Sequence, residues 1–178
     1  MSKIATQLDL KSFVRDIPDF PKPGILFKDI TPVLKDADCF RFIVDAVARE
    51  LAPNGKIDFV VGIESRGFIM SPVLAYKLNA GFVPVRKKGK LPFRTEQESY
   101  TLEYGEAVLE IHQDAVGPGS RVVIIDDLLA TGGTALAAAR LVEKLGGKVV
   151  KIAFLVELLF LAGRKKLSGY DIFSLVQY

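Results

Sequence analysis

Cysteine, histidine and tryptophan are scarce in this sequence of 178 residues, which has one Cys, one His and no Trp. Because an internal disulfide needs two cysteines, Cys39 cannot form one, and His112 alone cannot build a metal site rich in histidine. Residues 1–13 also lack the apolar segment of a secretory signal peptide. These absences favour a location in the reducing cytoplasm, and we interpret Cys39 and His112 as structural residues.

Long apolar runs and a large excess of charge of one sign are missing as well. The longest apolar run, residues 152–162, is interrupted by Glu157 and is too short for a transmembrane helix, which needs roughly 20 residues. The 24 Lys and Arg residues exceed the 21 Asp and Glu residues by too little to indicate nucleic-acid or membrane binding. We therefore expect neither nucleic acid nor a membrane as a partner.

What the sequence does have is the composition and length of one folded domain. Hydrophobic residues make up 49% and charged residues 25%, a balance that is usual for globular proteins and that excludes disordered and collagen-like classes. The length falls in the range of roughly 100 to 200 residues that is typical of single domains. We therefore predict one domain, residues 1–178.

Short β-branched runs alternate with helical patterns along the chain. This alternation predicts an α/β fold with a central, mostly parallel sheet that is flanked by helices. One helix is predicted to begin with Asp38 as its N-cap, and two others to cover residues 68–78 and 135–145. The predicted strands are residues 57–62, 82–85, 107–111, 121–126, 148–156 and, with a weaker pattern, 172–176.

Two segments interrupt the alternation. Residues 19–24, within the first 37, contain two prolines, which remove amide donors and disfavour helix before them, so we predict a constrained loop there. Residues 87–104 form a long polar connection between two predicted strands. Because connections of this length in compact domains are usually functional lids or disordered, we predict a lid or a disordered loop.

The strongest functional motif is the segment 122–134, in which an apolar run ends in two acids before a turn of small residues. In an open α/β sheet the ligand lies beyond the carboxyl ends of the strands, where Asp126 and Asp127 are expected. Ionised carboxylates only accept hydrogen bonds, which suits the two hydroxyls of a ribose. The small residues 131–134 let backbone amides approach a phosphate at the start of the next helix. Together these features predict a site for ribose 5-phosphate.

Other interpretations of this motif are weaker. In the simplest one, the two acids only cap the next helix and the glycines make an ordinary turn. A nucleotide triphosphatase would need G-x-x-x-x-G-K-[ST], but Gly89-Lys90 is followed by Leu91. A dinucleotide-binding fold would need G-x-G-x-x-G at its first helix, which is absent. Carboxylates beside a phosphate also point to Mg²⁺, held by Asp126 and Asp127 through water rather than directly.

The segment 122–134 resembles the motif that binds 5-phosphoribosyl 1-diphosphate in the type I phosphoribosyltransferases. The similarity extends over about residues 8–178 and is specific to the members of that family that act on adenine. It implies the type I phosphoribosyltransferase fold, with an N-terminal hood at residues 1–37 and a flexible active-site loop at residues 87–104. The other segments that carry it are 19–24, 27–32, 64–68, 86–92 and 99–105.

The reaction that the resemblance implies belongs to purine salvage. The phosphoribosyl group of 5-phosphoribosyl 1-diphosphate is transferred to N9 of adenine, which gives AMP and pyrophosphate, with Mg²⁺ as the cofactor and a homodimer as the assembly. Two alternatives stay open. One is a transferase of the same fold for hypoxanthine, guanine, xanthine or orotate, and the other is a regulator that senses the diphosphate without catalysis. Such regulators usually add a nucleic-acid-binding module, and we find no segment for one.

The resemblance also assigns roles to residues in the phosphate and pyrophosphate sites. Arg66 follows a predicted strand end, where its charge-assisted bonds suit pyrophosphate, although alone it would equally suit a surface turn. The cation-rich residues 86–94 would otherwise form a solvated face, and Phe93 alone is too little for stacking on nucleic acid. The peptide between Glu64 and Ser65 is implied to have an unusual geometry. The predicted pyrophosphate residues are Glu64, Ser65, Arg66, Arg86 and Lys90, and the predicted 5′-phosphate residues are Ala130, Thr131, Gly132, Gly133 and Thr134.

Proton transfer and base recognition are implied by the resemblance alone. Glu103 would hold a proton at N7 of adenine, which requires a carboxyl whose pKa is raised by closure over an apolar base. Tyr104 would help to close the site. Backbone groups of Leu26 and Lys28 in the hood would recognise the edge of adenine. Phe27 and Leu158, which could otherwise be core residues, would pack on the faces of the base. The predicted adenine-binding residues are Leu26, Phe27, Lys28 and Leu158.

Overall fold

The computed structural model describes residues 9–102 and 105–178, and the chain divides into two compact units, Met1–Ala46 and Val47–Tyr178. In the first unit, strands β1 and β2 form an antiparallel hairpin. The loop predicted at residues 19–24 is confirmed, and the backbone N–H of Gly24 donates to Asp19 Oδ1 at 2.8 Å across it. The elements of this part of the chain are a 3₁₀ turn at Leu10–Phe13, β1 at Arg15–Pro18, β2 at Leu26–Asp29, α1 at Thr31–Lys35 and α2 at Ala37–Leu51.

The second unit is built on a seven-stranded sheet of order β5-β6-β4-β3-β7-β8-β9. Strands β4, β3, β7, β8 and β9 are parallel, while β6 pairs antiparallel with both β4 and β5. The strands are β3 Phe59–Ile63, β4 Gly81–Lys87, β5 Thr95–Leu102, β6 Gly105–His112, β7 Arg121–Leu129, β8 Lys148–Glu157 and β9 Ile172–Gln177. The helices are α3 Gly67–Leu78, α4 Gly133–Lys144 and α5 Gly163–Lys166, with 3₁₀ turns at Ala52–Asn54 and Leu159–Leu161.

The core of the second unit lies around the central parallel strands. Residues 122–125 of β7 are fully buried or nearly so, as expected for a strand that is covered on both faces. Helix α4 joins the same core through small side chains such as Ala135, Ala138 and Ala139. Because alanine is short, the helix packs close to the sheet and its first turn lies near the end of β7. The predicted α/β class with a mostly parallel sheet is confirmed.

Two details of the predicted fold are wrong. The connection 87–104 is not a continuous loop, since β4 extends to Lys87 and residues Thr95–Leu102 form β5, so residues 88–94 are the part outside the strands. This strand was missed because it is an edge strand of mostly polar residues, without an apolar alternation.

The N-cap of α2 is Asp36 rather than Asp38. Its Oδ1 accepts hydrogen bonds from the backbone N–H groups of Asp38 at 3.0 Å and Cys39 at 2.9 Å. Two acids two residues apart made the choice between them ambiguous in the sequence.

Over residues 9–102 and 105–178, no helix combines the length and apolarity needed to cross a bilayer.

Candidate active site

The predicted ribose and pyrophosphate residues meet at the carboxyl ends of two adjacent parallel strands. Asp126 and Asp127 lie near the end of β7, and the neighbouring strand β3 leads through a short turn into α3, for which Arg66 is the N-cap. Arg66 Nε lies 2.5 Å from Asp127 Oδ2, and the Asp127 side chain is largely buried while that of Arg66 is 45% exposed. The ion pair therefore presents a cation directly beside the two acids.

The electrostatics of the acid pair favour a ligand that brings hydrogen-bond donors or positive charge. Burial, followed by repulsion from Asp127, raises the pKa of Asp126 well above its usual range. Burial also raises the pKa of Asp127, although the Arg66 guanidinium opposes this shift. Each carboxylate is thus less stable as an anion than it would be in water. Ribose hydroxyls or a cation would stabilise the ionised pair.

The predicted phosphate turn joins β7 to α4. Gly132 is the N-cap of α4 and has φ 79°, a left-handed conformation that favours glycine. A Cβ atom added to Gly132 would lie 2.6 Å from the carbonyl oxygen of Gly163, so the close approach of the two backbones also requires glycine. Because the first N–H groups of a helix have no partners within it, a bare turn at this position suits an anion.

Glu64 forms ion pairs with Arg86 and Lys90, two of the cations that were predicted to contact pyrophosphate. Its carboxylate accepts hydrogen bonds from Lys90 Nζ at 2.8 Å, from two guanidinium nitrogens of Arg86 at 3.3 Å each, and from the backbone N–H of Lys87 at 3.1 Å. Burial alone would raise its pKa, but these donors together lower the pKa of Glu64 to about 2. A permanently ionised carboxylate repels pyrophosphate, so its suitable task is to hold Arg86 and Lys90.

The peptide bond between Glu64 and Ser65 is cis, which confirms the unusual geometry implied by the resemblance. The next turn of chain places Gly67 at the start of α3, against β7. A Cβ atom added to Gly67 would lie 2.8 Å from the carbonyl oxygen of Ile125 and 3.0 Å from Asp126 Oδ1. The turn after β3 and the acid pair on β7 are therefore packed together without a side chain between them.

Glu110 is a site residue that sequence reasoning missed. It is only 2% exposed, and its carboxylate accepts hydrogen bonds from the backbone N–H groups of Lys90 and Leu91, both at 2.9 Å. Burial opposes its ionisation, but the backbone donors of the loop outweigh burial and lower the pKa of Glu110. The buried acid thus ties loop 88–94 to β6. The available signal was an acid within the apolar run 107–111.

The predicted hood residues lie on β2 of the first unit. The rings of Phe27 and Phe20 meet edge to face with centroids 5.2 Å apart, and Lys28 Nζ lies 2.6 Å from Asp16 Oδ1. Leu26 is 49% exposed. Since the Lys28 side chain is engaged by Asp16, its backbone is the more suitable part for recognising a base edge.

The remaining predicted site residues are Leu158, Glu103 and Tyr104. In the second unit, Leu158 follows the last residue of β8 and is 9% exposed, and its backbone N–H donates to the carbonyl oxygen of Leu129 at 3.0 Å. Glu103 and Tyr104 lie outside the described residues, so the roles predicted for them stay predictions. The described ends of β5 and β6 flank these two positions.

The environments of Cys39 and His112 are consistent with structural roles. Cys39 is fully buried, and burial raises the pKa of its thiol to about 11, which leaves little reactive thiolate at neutral pH. His112 Nε2 accepts a hydrogen bond from the backbone N–H of Phe93 at 3.4 Å, and the two rings meet edge to face. His112 therefore contacts the same loop that Glu110 ties down.

Comparison with known proteins agrees with this geometry. A family model described as the phosphoribosyl transferase domain matches residues 34–175. The chain belongs to the phosphoribosyltransferase family. Adenine phosphoribosyltransferase of Solibacter usitatus is 58% identical over 170 residues, which cover 96% of this chain and 98% of that protein. The enzyme of the same name from Thermotoga maritima is 56% identical over 172 residues, which cover 97% and 99% respectively.

Solved structures of phosphoribosyltransferases have the same fold. Adenine phosphoribosyltransferase from Thermoanaerobacter pseudethanolicus has a TM-score of 0.91 and 58% identity, and the match covers 95% of this chain and 98% of that chain. The enzyme from Saccharomyces cerevisiae, solved with an imino-altritol bisphosphate and adenine, has a TM-score of 0.90 and 45% identity over 93% of this chain and 96% of that one. The predicted family resemblance and fold are confirmed.

Proposed function

We propose that the chain is a pentosyltransferase that moves the 5-phosphoribosyl group of 5-phosphoribosyl 1-diphosphate to N9 of adenine and releases AMP and pyrophosphate. The observation that carries this function is 58% identity to an adenine phosphoribosyltransferase over nearly the full length of both chains. Identity at this level supports adenine over the other bases and supports a catalyst over a sensing regulator. The activity belongs to purine salvage.

The donor would occupy the carboxyl edge of the sheet. Asp126 and Asp127 accept hydrogen bonds from the ribose hydroxyls, and residues 130–134 surround the 5′-phosphate with backbone amides. Arg66, which contacts Asp127, lies beside the ribose and is suited to the pyrophosphate leaving from C1. The remaining pyrophosphate contacts in this proposal are Ser65, Arg86 and Lys90, with Glu64 holding the two cations in place.

Catalysis would rest on positioning and electrostatics. As the bond from C1 to pyrophosphate breaks, positive charge develops on the sugar and negative charge on the leaving group. Cations held by acids, namely Arg66 by Asp127 and Arg86 and Lys90 by Glu64, stabilise that leaving charge. The acid pair and the phosphate turn hold C1 close to the attacking nitrogen of the base. The mechanism needs no covalent nucleophile from the protein.

The base would be handled by residues whose roles rest on the resemblance. As N9 bonds to C1 and positive charge builds on the purine, Glu103 accepts the proton that leaves N7 of adenine, and Tyr104 helps to close the site. Backbone groups of Leu26 and Lys28 read the adenine edge, and Phe27 packs on the ring. Leu158 packs on a base face. Closure of the predicted active-site loop, residues 87–104, would exclude water, which otherwise captures the activated sugar carbon.

The acid pair also fits Mg²⁺. Two adjacent carboxylates with raised pKa values are stabilised by a divalent cation, and carboxylate oxygen is a ligand type that Mg²⁺ accepts. Among residues 9–102 and 105–178 no group of three or more acidic, histidine or cysteine side chains could hold a metal alone. Asp126 and Asp127 would therefore hold Mg²⁺ through water and donor oxygens. When bound, the ion would neutralise part of the pyrophosphate charge.

Activity assays with purified protein test the function. Each of adenine, hypoxanthine, guanine, xanthine and orotate is incubated with 5-phosphoribosyl 1-diphosphate, with and without Mg²⁺, and the product nucleotide is followed by absorbance. We expect AMP from adenine, far slower conversion of the other bases, and loss of turnover when a chelator is added. Faster conversion of another base would overturn the adenine assignment, and binding of the diphosphate without any turnover would favour the regulator. The cytoplasmic location stays a prediction.

A further inference from the structure

Glu157 and Arg164 form an ion pair near the phosphate turn, and further hydrogen bonds hold both side chains in place. Glu157, the last residue of β8, is 3% exposed, and Arg164 of α5 binds it through two parallel contacts, Nε to Oε1 at 2.7 Å and Nη2 to Oε2 at 2.8 Å. Arg164 Nη1 also donates to the carbonyl oxygen of Ile172 at 3.2 Å, and Gln177 Nε2 donates to Glu157 Oε2 at 3.2 Å. Such two-pronged, charge-assisted contacts fix both distance and orientation.

The residue before Arg164 lies directly against the phosphate turn. A Cβ atom added to Gly163 would overlap the carbonyl oxygen of Ala130, and one added to Gly132 would lie 2.6 Å from the carbonyl oxygen of Gly163. The backbone of Gly163 is therefore in contact with the turn on both sides of Thr131. Any shift of Arg164 would displace its neighbour Gly163 and, with it, the amides of the turn.

The segment between the two charged residues is attached to β7 at its other end as well. The backbone N–H of Leu158, the residue after Glu157, donates to the carbonyl oxygen of Leu129, the residue before Ala130. The segment 157–164 thus contacts the chain just before the phosphate turn and at the turn itself. The ion pair joins the first and last residues of this segment and so fixes the distance between its two ends.

We propose that Glu157 and Arg164 are positioning residues for the 5′-phosphate: their ion pair holds Gly163 against Ala130 and Gly132 and so keeps the amides of the phosphate turn in their binding geometry. This inference rests on the proposed function, because it takes the turn as the phosphate site. Neither side chain needs to touch the substrate. A distortion transmitted to the turn weakens the phosphate contact. The base contact of Leu158, the residue after Glu157, changes less, because its backbone N–H is held separately by the carbonyl oxygen of Leu129.

The test compares conservative variants of the pair with a matched ion pair elsewhere on β8. Glu157→Gln keeps the size of the side chain but removes its charge, and Arg164→Lys keeps the charge but removes the planar fork. The control is Glu50→Gln, which weakens the contact of Lys151 Nζ with Glu50 Oε1 at 2.6 Å, away from the proposed site. For each protein, kcat, the two KM values, calorimetric binding of ribose 5-phosphate and Tm are measured.

We expect both site variants to raise KM for 5-phosphoribosyl 1-diphosphate and weaken ribose 5-phosphate binding by roughly tenfold or more, the scale of effect that a small displacement of a binding group produces. KM for adenine should change less than threefold, and the control should lower Tm with both KM values unchanged. Unchanged donor KM in the site variants, or equal increases for adenine and donor, would overturn the inference. Failure of the wild-type protein to form AMP would instead overturn the proposed function. Should Glu157→Gln not fold, Arg164→Lys decides the question alone.

Discussion

The acid pair on β7 illustrates how a single residue can serve binding at the expense of stability. Asp126 is placed where burial and the neighbouring carboxylate both disfavour its ionised form. A carboxyl whose pKa is raised by folding binds its proton more tightly in the folded state than in the unfolded chain. Its contribution to stability is therefore greatest at low pH and is lost as the pH rises through the raised folded value. The raised pKa of Asp126 therefore makes the free protein less stable at neutral pH than at low pH.

Replacement of Asp126 by Asn should separate the two effects. Asn cannot ionise, but it keeps an oxygen that can accept the hydrogen bond from the backbone N–H of Asp127. We expect the free energy of unfolding at pH 7 to rise by about 1 kcal/mol, which corresponds to roughly 2–4 °C in Tm for a chain of this size. Donor affinity should fall about tenfold, because a charged acceptor for ribose is lost. Thermal unfolding at pH 5 and pH 8, with calorimetry, measures both.

Asp58 provides a control of opposite sign. The backbone N–H of Arg121, together with Lys56, lowers the pKa of Asp58, so its ionised form stabilises the folded state above the ordinary carboxyl pKa. Asp58→Asn should lower Tm at pH 7 and leave donor binding unchanged. A fall in Tm for Asp126→Asn at pH 7 would contradict the destabilising role of that carboxylate.

Glu103 is the residue whose replacement should affect chemistry most selectively. Glu103→Gln removes the base that accepts the proton from N7, and general acid–base catalysis contributes about a hundredfold or more, so we expect kcat to fall at least tenfold. Donor binding should persist, since the phosphate and ribose contacts lie elsewhere. Steady-state kinetics and calorimetry test this, with Glu96→Gln on β5 as the control. An unchanged kcat would remove Glu103 from the mechanism.

At the scale of elements, loop 88–94 is held in place by acidic side chains that lie outside the loop. Glu110 of β6 holds the backbone of Lys90 and Leu91, while Glu64, at the end of β3, holds the side chains of Arg86 and Lys90. Two ionised acids, from the two strands that flank β4, therefore hold the loop. Their lowered pKa values mean that neither contact weakens between pH 5 and pH 8.

Limited proteolysis should detect this tether. Glu110→Gln replaces a carboxylate, which accepts from two backbone N–H groups, with a neutral amide that accepts them less strongly. We expect trypsin to cleave after Lys88, Lys90 or Arg94 about threefold faster or more, because one charge-assisted bond is weakened by about 1 kcal/mol. Tm should fall only slightly. Equal cleavage rates in the variant and the wild-type protein would show that Glu110 does not hold the loop.

The elements that sequence reasoning predicted well are those with local patterns. The buried strand β7, its two acids and the glycine turn before α4 are contiguous in the chain, so one segment shows both structure and chemistry. Strand β5 is polar and gains its conformation from pairing with β6, which no local pattern shows. The Glu64 cluster joins residues that are 22 and 26 positions apart, so their spacing gives no indication of contact. Glu110 was likewise taken for part of a plain strand.

At the scale of the whole molecule, α3 carries an exposed apolar stripe. Ile69, Val73 and Tyr76 follow helical spacing and are 40%, 37% and 90% exposed. The helix is apolar on its other faces as well, with Met70 and Leu74 buried in the chain itself. An apolar stripe of this kind supports the homodimer that the family resemblance implies, in which a second copy of the chain would cover it.

Light scattering after size exclusion tests the assembly. We expect a mass of twice 19.5 kDa for the wild-type protein and the single mass for Val73→Asp, because a buried charge without a partner disfavours association. Lys148→Asp, at the exposed first residue of β8, is the control and should leave the mass unchanged. A wild-type protein that elutes as a monomer at micromolar concentration would contradict the predicted homodimer.

The complete burial of Cys39 has a practical consequence for spectroscopy. With its thiol shielded and its pKa raised to about 11, the native protein should resist maleimide and iodoacetamide reagents. A cysteine introduced at the exposed position Lys88 would then be the preferred attachment point for a fluorophore, with no need to remove the native thiol first. Such a dye, located on the segment tethered by Glu110, would report rearrangements of that segment in real time as nucleotides bind and leave.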